Sequence, residues 1–225
     1  MKVQTVIPAA GMGERLGMSR PKALVEINGT TLIRHTLQGL SSFFTELPAI
    51  VVFPETFYEE FNRACRDMNV LLVAGGAERQ ESVRNALTSL EADAEIVILH
   101  DAARPFVSPD TVRAGIEACR EWGASTLAVP VSDTILMVNE DGFLTDTPDR
   151  RQLWACQTPQ IFLKELLLSA HVRALSEGKQ FTDDASLIRY YGGKVKIVPG
   201  HGDNFKITTP EDLNYAAYKM QKECP

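Results

Sequence analysis

The sequence predicts an α/β fold in which a mostly parallel sheet carries helices on both faces. Short β-branched or apolar runs recur along the chain, helix-like stretches separate the early ones, and 225 residues are enough to bury one sizeable core. The runs Thr5 to Ile7, Ala49 to Phe53, Val70 to Val73, Ile96 to Leu99, Thr126 to Val131 and Lys194 to Val198 read as strands. Thr31 to Leu40, Glu55 to Asp67, Arg79 to Leu90 and Pro109 to Glu121 read as helices. Thr56 stands ahead of Glu59 at capping-box spacing, and Ser108 before Pro109 suits an N-cap and first helical position. Thr209, Pro210 and Glu211 start a last amphipathic helix with Leu213, Ala216, Ala217 and Met220 as its apolar stripe.

Asp133 to Arg151 breaks the alternation. Thr134 to Val138 and Phe143 to Thr147 flank the turn Asn139-Glu140-Asp141-Gly142, which predicts a β-hairpin. A lone two-stranded hairpin is marginally stable unless something packs on it. The expectation is therefore one domain, 1–225, with an arm at about 133–153 held by a partner subunit; a hairpin folded back onto its own domain is the alternative.

Hydrophobic residues make up 44% and charged residues 23%, which is globular usage. A formal charge of -6 and a pI near 5.3 oppose a nucleic-acid-binding surface, so any anion site is local. No apolar run approaches the ~20 residues of a bilayer span and no signal peptide is visible. Cys65, Cys119, Cys156 and Cys224 are scattered, without metal-ligand spacing, and fit a reducing cytoplasm. His35, His100, His171 and His201 likewise show no ligand spacing and read as structural or surface residues.

The strongest chemistry lies from Pro8 to Leu24, PAAGMGERLGMSRPKAL. Gly11 and Gly13 let the backbone turn and approach a ligand, Ala9 and Ala10 add little bulk, and Arg15 and Lys22 supply positive charge. Gly17 falls one residue late for G-x-G-x-x-G, and no G-x-x-x-x-G-K-[ST] is present, which opposes a dinucleotide fold and a P-loop. The loop resembles the G-x-G-x-R…P-K signature of nucleotide-sugar-type nucleotidyltransferases. GGAERQESV (75–83), HDAARPF (100–106), PVSDT (130–134), TDDAS (182–186) and GDNFKIT (202–208) follow in order, and together these motifs resemble the methylerythritol phosphate cytidylyltransferases over essentially the whole chain.

That resemblance implies a Rossmann-like sheet with a protruding arm, a homodimer, and transfer of CMP from CTP to 2-C-methyl-D-erythritol 4-phosphate in isoprenoid precursor synthesis, with Mg2+ as cofactor. It implies Arg15, Lys22 and Lys206 as catalytic cations, and Pro8, Ala9, Ala10, Gly11, Gly13, Gly75, Gly76, Ser82, Asp101 and Ala102 around the nucleotide. Arg104, Thr134, Arg150 and Thr182 would meet the acceptor across a subunit boundary. Asp101, at the carboxyl end of a strand, and Asp203 are the metal candidates. Two departures stand out: Ala23 where many relatives carry Gln, and Leu136 where a basic residue is common. The rival readings are a ribitol 5-phosphate cytidylyltransferase, a nucleotide-binding regulatory protein without turnover and, more distantly, a dinucleotide-dependent dehydrogenase.

Overall fold

The computed structural model describes residues 1–223, with Arg15 and Glu223 by backbone alone; Cys224 lies outside the described residues. The strands are β1 (Lys2–Pro8), β2 (Glu26–Ile27), β3 (Thr30–Thr31), β4 (Ala49–Phe53), β5 (Val70–Ala74), β6 (Ala94–Leu99), β7 (Ala124–Pro130), β8 (Met137–Val138), β9 (Leu144–Asp146), β10 (Trp154–Leu163) and β11 (Lys196–Pro199). The helices are α1 (Leu32–Gly39), α2 (Tyr58–Ala64), α3 (Arg79–Leu87), α4 (Pro109–Trp122), α5 (Lys164–Ser176), α6 (Asp184–Tyr190) and α7 (Pro210–Glu223).

Seven strands form the main sheet in the order β11-β7-β10-β6-β1-β4-β5. Every neighbouring pair is parallel except the two that β10 makes, with β6 and β7. The mostly parallel sheet with helices on both faces is thus as expected. Period-2 alternation divides each central strand between two cores: Val51 and Phe53 of β4 and Ile96 and Ile98 of β6 face one, while Ile50, Val52, Val97 and Leu99 face the other. All eight side chains are buried, and each contributes roughly 1.5–3 kcal/mol on leaving water. α1, α2 and α4 cover the first face; α3, α5 and α6 cover the second.

The chain leaves β1 toward β4 and β5, then α3 carries it back across to β6 on the other side of β1. Such a reversal of strand order opens a crevice beyond the carboxyl ends of the two strands, here at Pro8 and Leu99.

Ser108 caps α4 as expected, its Oγ accepting from the Asp110 amide at 3.3 Å. Thr56 does not cap α2: a 3-10 turn over Glu55–Phe57 comes first, and Phe57 takes the N-cap position without a side-chain bond. β10, α5 and α6 are additions to the expected elements. The arm is present but short, with Met137 opposite Asp146 and Val138 opposite Leu144. Its turn closes through the Gly142 amide to the Asn139 carbonyl at 3.0 Å, with Gly142 at a φ of +84° that favours glycine. Ile135 to Val138, Phe143 and Leu144 are all exposed.

Candidate active site

A cleft of about 440 Å³ opens at the β1/β6 switch point. Residues 8–12, Glu14, Lys22 and Ala23 form one wall, residues 76–79 and Ser82 another, and Asp101, Ala102, Ala103 and Lys206 complete it.

The glycine loop is closed by backbone bonds: the Gly13 amide donates to Arg20 at 2.9 Å, and the Lys22 amide to Gly11 at 3.1 Å. This folding-back brings Lys22 beside residues it follows by a long excursion. Gly17 ends the Glu14–Leu16 turn in the left-handed region, φ +69°, which explains a glycine one residue late for a dinucleotide loop. Across the cleft, Gly75 allows close approach, since a Cβ there would meet Ala10 Cβ at 3.0 Å and Ser82 Oγ at 3.1 Å. Ser82 Oγ accepts from the Gly76 amide at 3.1 Å, which fixes that turn at the start of α3.

Asp101 organises the floor. Lys206 Nζ lies 2.9 Å from its Oδ2, Arg104 Nε lies 3.4 Å away, and its amide donates to Thr158 Oγ1 at 2.9 Å. Burial pushes the carboxyl pKa up, but Lys206 and then Arg104 outweigh it and hold Asp101 at about 2, so it is ionised. Behind it, fully buried His100 places Nε2 2.9 Å from the Arg104 carbonyl and Nδ1 3.1 Å from Thr158 Oγ1. Burial depresses its pKa to about 4, so it is a neutral brace and not an acid–base group.

Of the residues expected around the nucleotide, Pro8, Ala9, Ala10, Gly11, Gly76, Ser82, Asp101 and Ala102 line the cleft, together with Lys22 and Lys206. Gly13 and Gly75 stand just behind it, shaping the walls. Arg15 lies in the turn Glu14–Leu16, and its side chain is outside the described residues. The residues expected at the acceptor are dispersed. Arg104 is buried and spends donors on Asp101, the Asn204 carbonyl at 2.7 Å and the Cys156 carbonyl at 3.4 Å. Thr134 and Arg150 are exposed at the base of the arm, where Arg150 donates to the Ser132 carbonyl, and Thr182 is exposed before α6. Asp203 stands outside the cleft, 3.2 Å from Lys219 and 3.4 Å from His201.

Among the described residues, no group of three or more His, Cys, Asp or Glu could hold a metal ion. The donor set still suits Mg2+, which keeps waters and binds through substrate phosphates and one or two carboxylates. Sequence reasoning passed over three charged lining residues, Glu14, Glu78 and Arg79; the last two sit inside the GGAERQESV motif beside the glycines singled out there.

Comparison with known proteins agrees with this geometry. The family model described as IspD, 2-C-methyl-D-erythritol 4-phosphate cytidylyltransferase, matches residues 3–222. A protein of that name from Caldanaerobacter subterraneus is 40% identical over 99% of this chain and 100% of its own length. Another from Syntrophotalea carbinolica is 42% identical over 95% and 94%. The crystal structure of 4-diphosphocytidyl-2C-methyl-D-erythritol synthase from Anaerococcus prevotii superposes with a TM-score of 0.85 at 30% identity, covering 97% of this chain and 96% of that one. The Thermus thermophilus 2-C-methyl-D-erythritol 4-phosphate cytidylyltransferase gives 0.83 at 32% identity, covering 98% and 100%. A cleft walled by a glycine loop and two converging lysines, in a chain matched end to end by these proteins, places it in the 2-C-methyl-D-erythritol 4-phosphate cytidylyltransferase family.

Proposed function

We propose that the cleft binds CTP and that the chain transfers its CMP group to 2-C-methyl-D-erythritol 4-phosphate, releasing pyrophosphate, as a step of isoprenoid precursor synthesis. The observation that carries this reading is the meeting of Lys22 and Lys206, from opposite ends of the chain, on one cleft with the glycine loop and the Ser82 wall.

An acceptor phosphate oxygen attacks the α-phosphorus of CTP; a new P–O bond forms as the bond to pyrophosphate breaks. A phosphate monoester is already ionised near neutral pH, so the reaction needs no strong base. It needs two anions aligned and their charge offset. Lys22, held by the closed loop, meets the phosphates from one side. Lys206, oriented by Asp101, meets them from another, and Arg15 belongs to the same loop as Lys22. When bound, Mg2+ would withdraw charge from the phosphate oxygens, with Asp101 the carboxylate placed to meet it.

The acceptor side draws on a second copy of the chain. The apolar residues of the arm need covering, and a homodimer built through it would bring the partner's Thr134 and Arg150 to the cleft entrance. Arg150 suits an oxyanion because its guanidinium donates two parallel bonds. Among the described residues no helix is long and apolar enough to cross a membrane, and Cys65, Cys119 and Cys156 are free thiols, as a cytoplasmic enzyme would keep them.

The test is to incubate the protein with CTP and Mg2+ and either 2-C-methyl-D-erythritol 4-phosphate or ribitol 5-phosphate, then weigh the products. The CDP-alcohol of the first, with equimolar pyrophosphate, is expected. Product from ribitol 5-phosphate alone, or CTP binding without any product, overturns the reading.

A further inference from the structure

Arg79 opens α3 and reaches from the cleft wall to the start of α6, where its Nη2 donates to Asp184 Oδ2 at 2.8 Å. The other carboxylate oxygen of Asp184 lies 2.9 Å from His171 Nε2 on α5. The carboxylate has no proton to give, so the imidazole donates. Asp184 and His171 are both buried, their side chains only 2% and 3% exposed, whereas Arg79 keeps 35% of its side chain open. His171 Nδ1 is buried with no partner, a cost with no return unless the ring is kept for what Nε2 does. Among the described residues Asp184 is the only acceptor that Arg79 finds, which leaves Nε and Nη1 with donors to offer. The next residue repeats the tie: Gln80 accepts from the Phe181 amide at 2.8 Å and donates to the Lys179 carbonyl at 3.2 Å. The start of α3 is thus fastened to the segment leading into α6.

We infer that Arg79 is a further ligand-contacting residue, donating to an uncharged oxygen of the nucleoside part of CTP, and that Asp184 and His171 are positioning residues that act through it. The charge balance separates this arginine from the lysines. Asp101 carries two cations, Lys206 and Arg104, so that cluster retains positive charge for phosphates. Arg79 is balanced by Asp184, and the nearby carboxylates of Asp101 and Asp183 also favour its charged form. What remains in the cleft is an oriented N–H fork with little net charge, suited to a ribose hydroxyl or the cytosine carbonyl. It shares a wall with Gly76 and Ser82.

The inference rests on the CTP reading, and the experiment separates the two. Calorimetric binding of CTP to the full chain is combined with KM values for CTP and the acceptor. A wild-type chain that does not bind CTP sinks the broader reading. With CTP binding established, Arg79→Lys keeps an ion pair with Asp184 but loses the fork, and is expected to weaken CTP about tenfold while the acceptor KM moves less than about twofold. His171→Leu is expected to weaken CTP roughly fivefold, His171→Gln to restore most of this, and His171→Leu in the Arg79→Lys background to add nothing, since non-additivity marks residues acting through one group. A loss for 2′-deoxy-CTP equal to that for CTP places the contact on the base; a smaller one places it on the ribose. CTP binding within about twofold of wild type in Arg79→Lys overturns the contact. A His171→Leu loss of equal size in both backgrounds overturns the positioning role.

Discussion

The nucleotide cleft and the arm are built in opposite ways. The cleft rests on the carboxyl ends of buried parallel strands, and its charged groups are tied to one another: Asp101 to Lys206 and Arg104, Arg79 to Asp184 and on to His171. The arm pairs two residues of one strand with three of the other, exposes its apolar side chains, and among the described residues gives the Arg150 side chain one hydrogen bond, to the Ser132 carbonyl. Fixed electrostatics need a frame that does not reorganise during reaction, and a sheet end supplies one. A two-stranded ribbon cannot be such a frame by itself. The difference teaches that the charged groups of the cleft are fixed by contacts within one chain, whereas Thr134 and Arg150 at the arm stand exposed.

The comparison breaks most visibly at Lys22. Lys22→Ala is expected to lower turnover by roughly 10²-fold or more with folding largely intact, because the lost charge acts on the transition state. Comparable turnover in the variant would remove Lys22 from the mechanism. Next is complementation. If the arm serves the partner's cleft, inactive Lys22→Ala and Arg150→Ala chains that exchange subunits regain about a quarter of wild-type activity, since half the dimers are mixed and each mixed dimer has one intact site. Verified exchange without rescue would return Arg150 to its own cleft.

The smallest effect is on stability. Burial lowers the pKa of His100 to about 4 from its ordinary 6.5, so between these pH values the unfolded chain takes up a proton that the folded chain refuses. Its contribution is whole above pH 6.5 and fades as pH falls toward 4, by roughly 3 kcal/mol. Denaturant titrations across that range should show the slope in the wild type and in Arg150→Ala alike, because the arm takes no part in it. A slope that disappears with the arm substitution would mean that the two regions are coupled.

Much of this was legible in the sequence, and the rest was hidden for physical reasons. The strands β4, β5 and β6 announce themselves as apolar runs, and the glycine loop and its lysine need only local spacing. β10 does not, because Gln157, Pro159 and Gln160 interrupt it, and proline argues against a central strand. The structure accommodates them through a register shift between Cys156 and Gln160. Gln160 then becomes a brace, donating to Asp183 at 2.9 Å and accepting from the amides of Asp184 and Ala185 at 3.1 Å. Such polar residues are explained only by partners distant in sequence. Arg104 shows the same limit: its motif pointed to the site, but not to the backbone carbonyls that occupy its guanidinium. Arg79 and Asp184 sit inside two recognised motifs, so their neighbourhood was visible while their pairing was not.

The division of labour between cleft and arm has one direct test: CTP affinity and turnover in a chain rendered monomeric at the arm tip by Phe143→Asp and Leu144→Asp, with its mass in solution checked by light scattering. The account predicts CTP binding within about threefold of wild type and turnover with 2-C-methyl-D-erythritol 4-phosphate reduced at least ~10²-fold. A monomer that turns over at the wild-type rate, or one that loses CTP as completely as it loses activity, would contradict it.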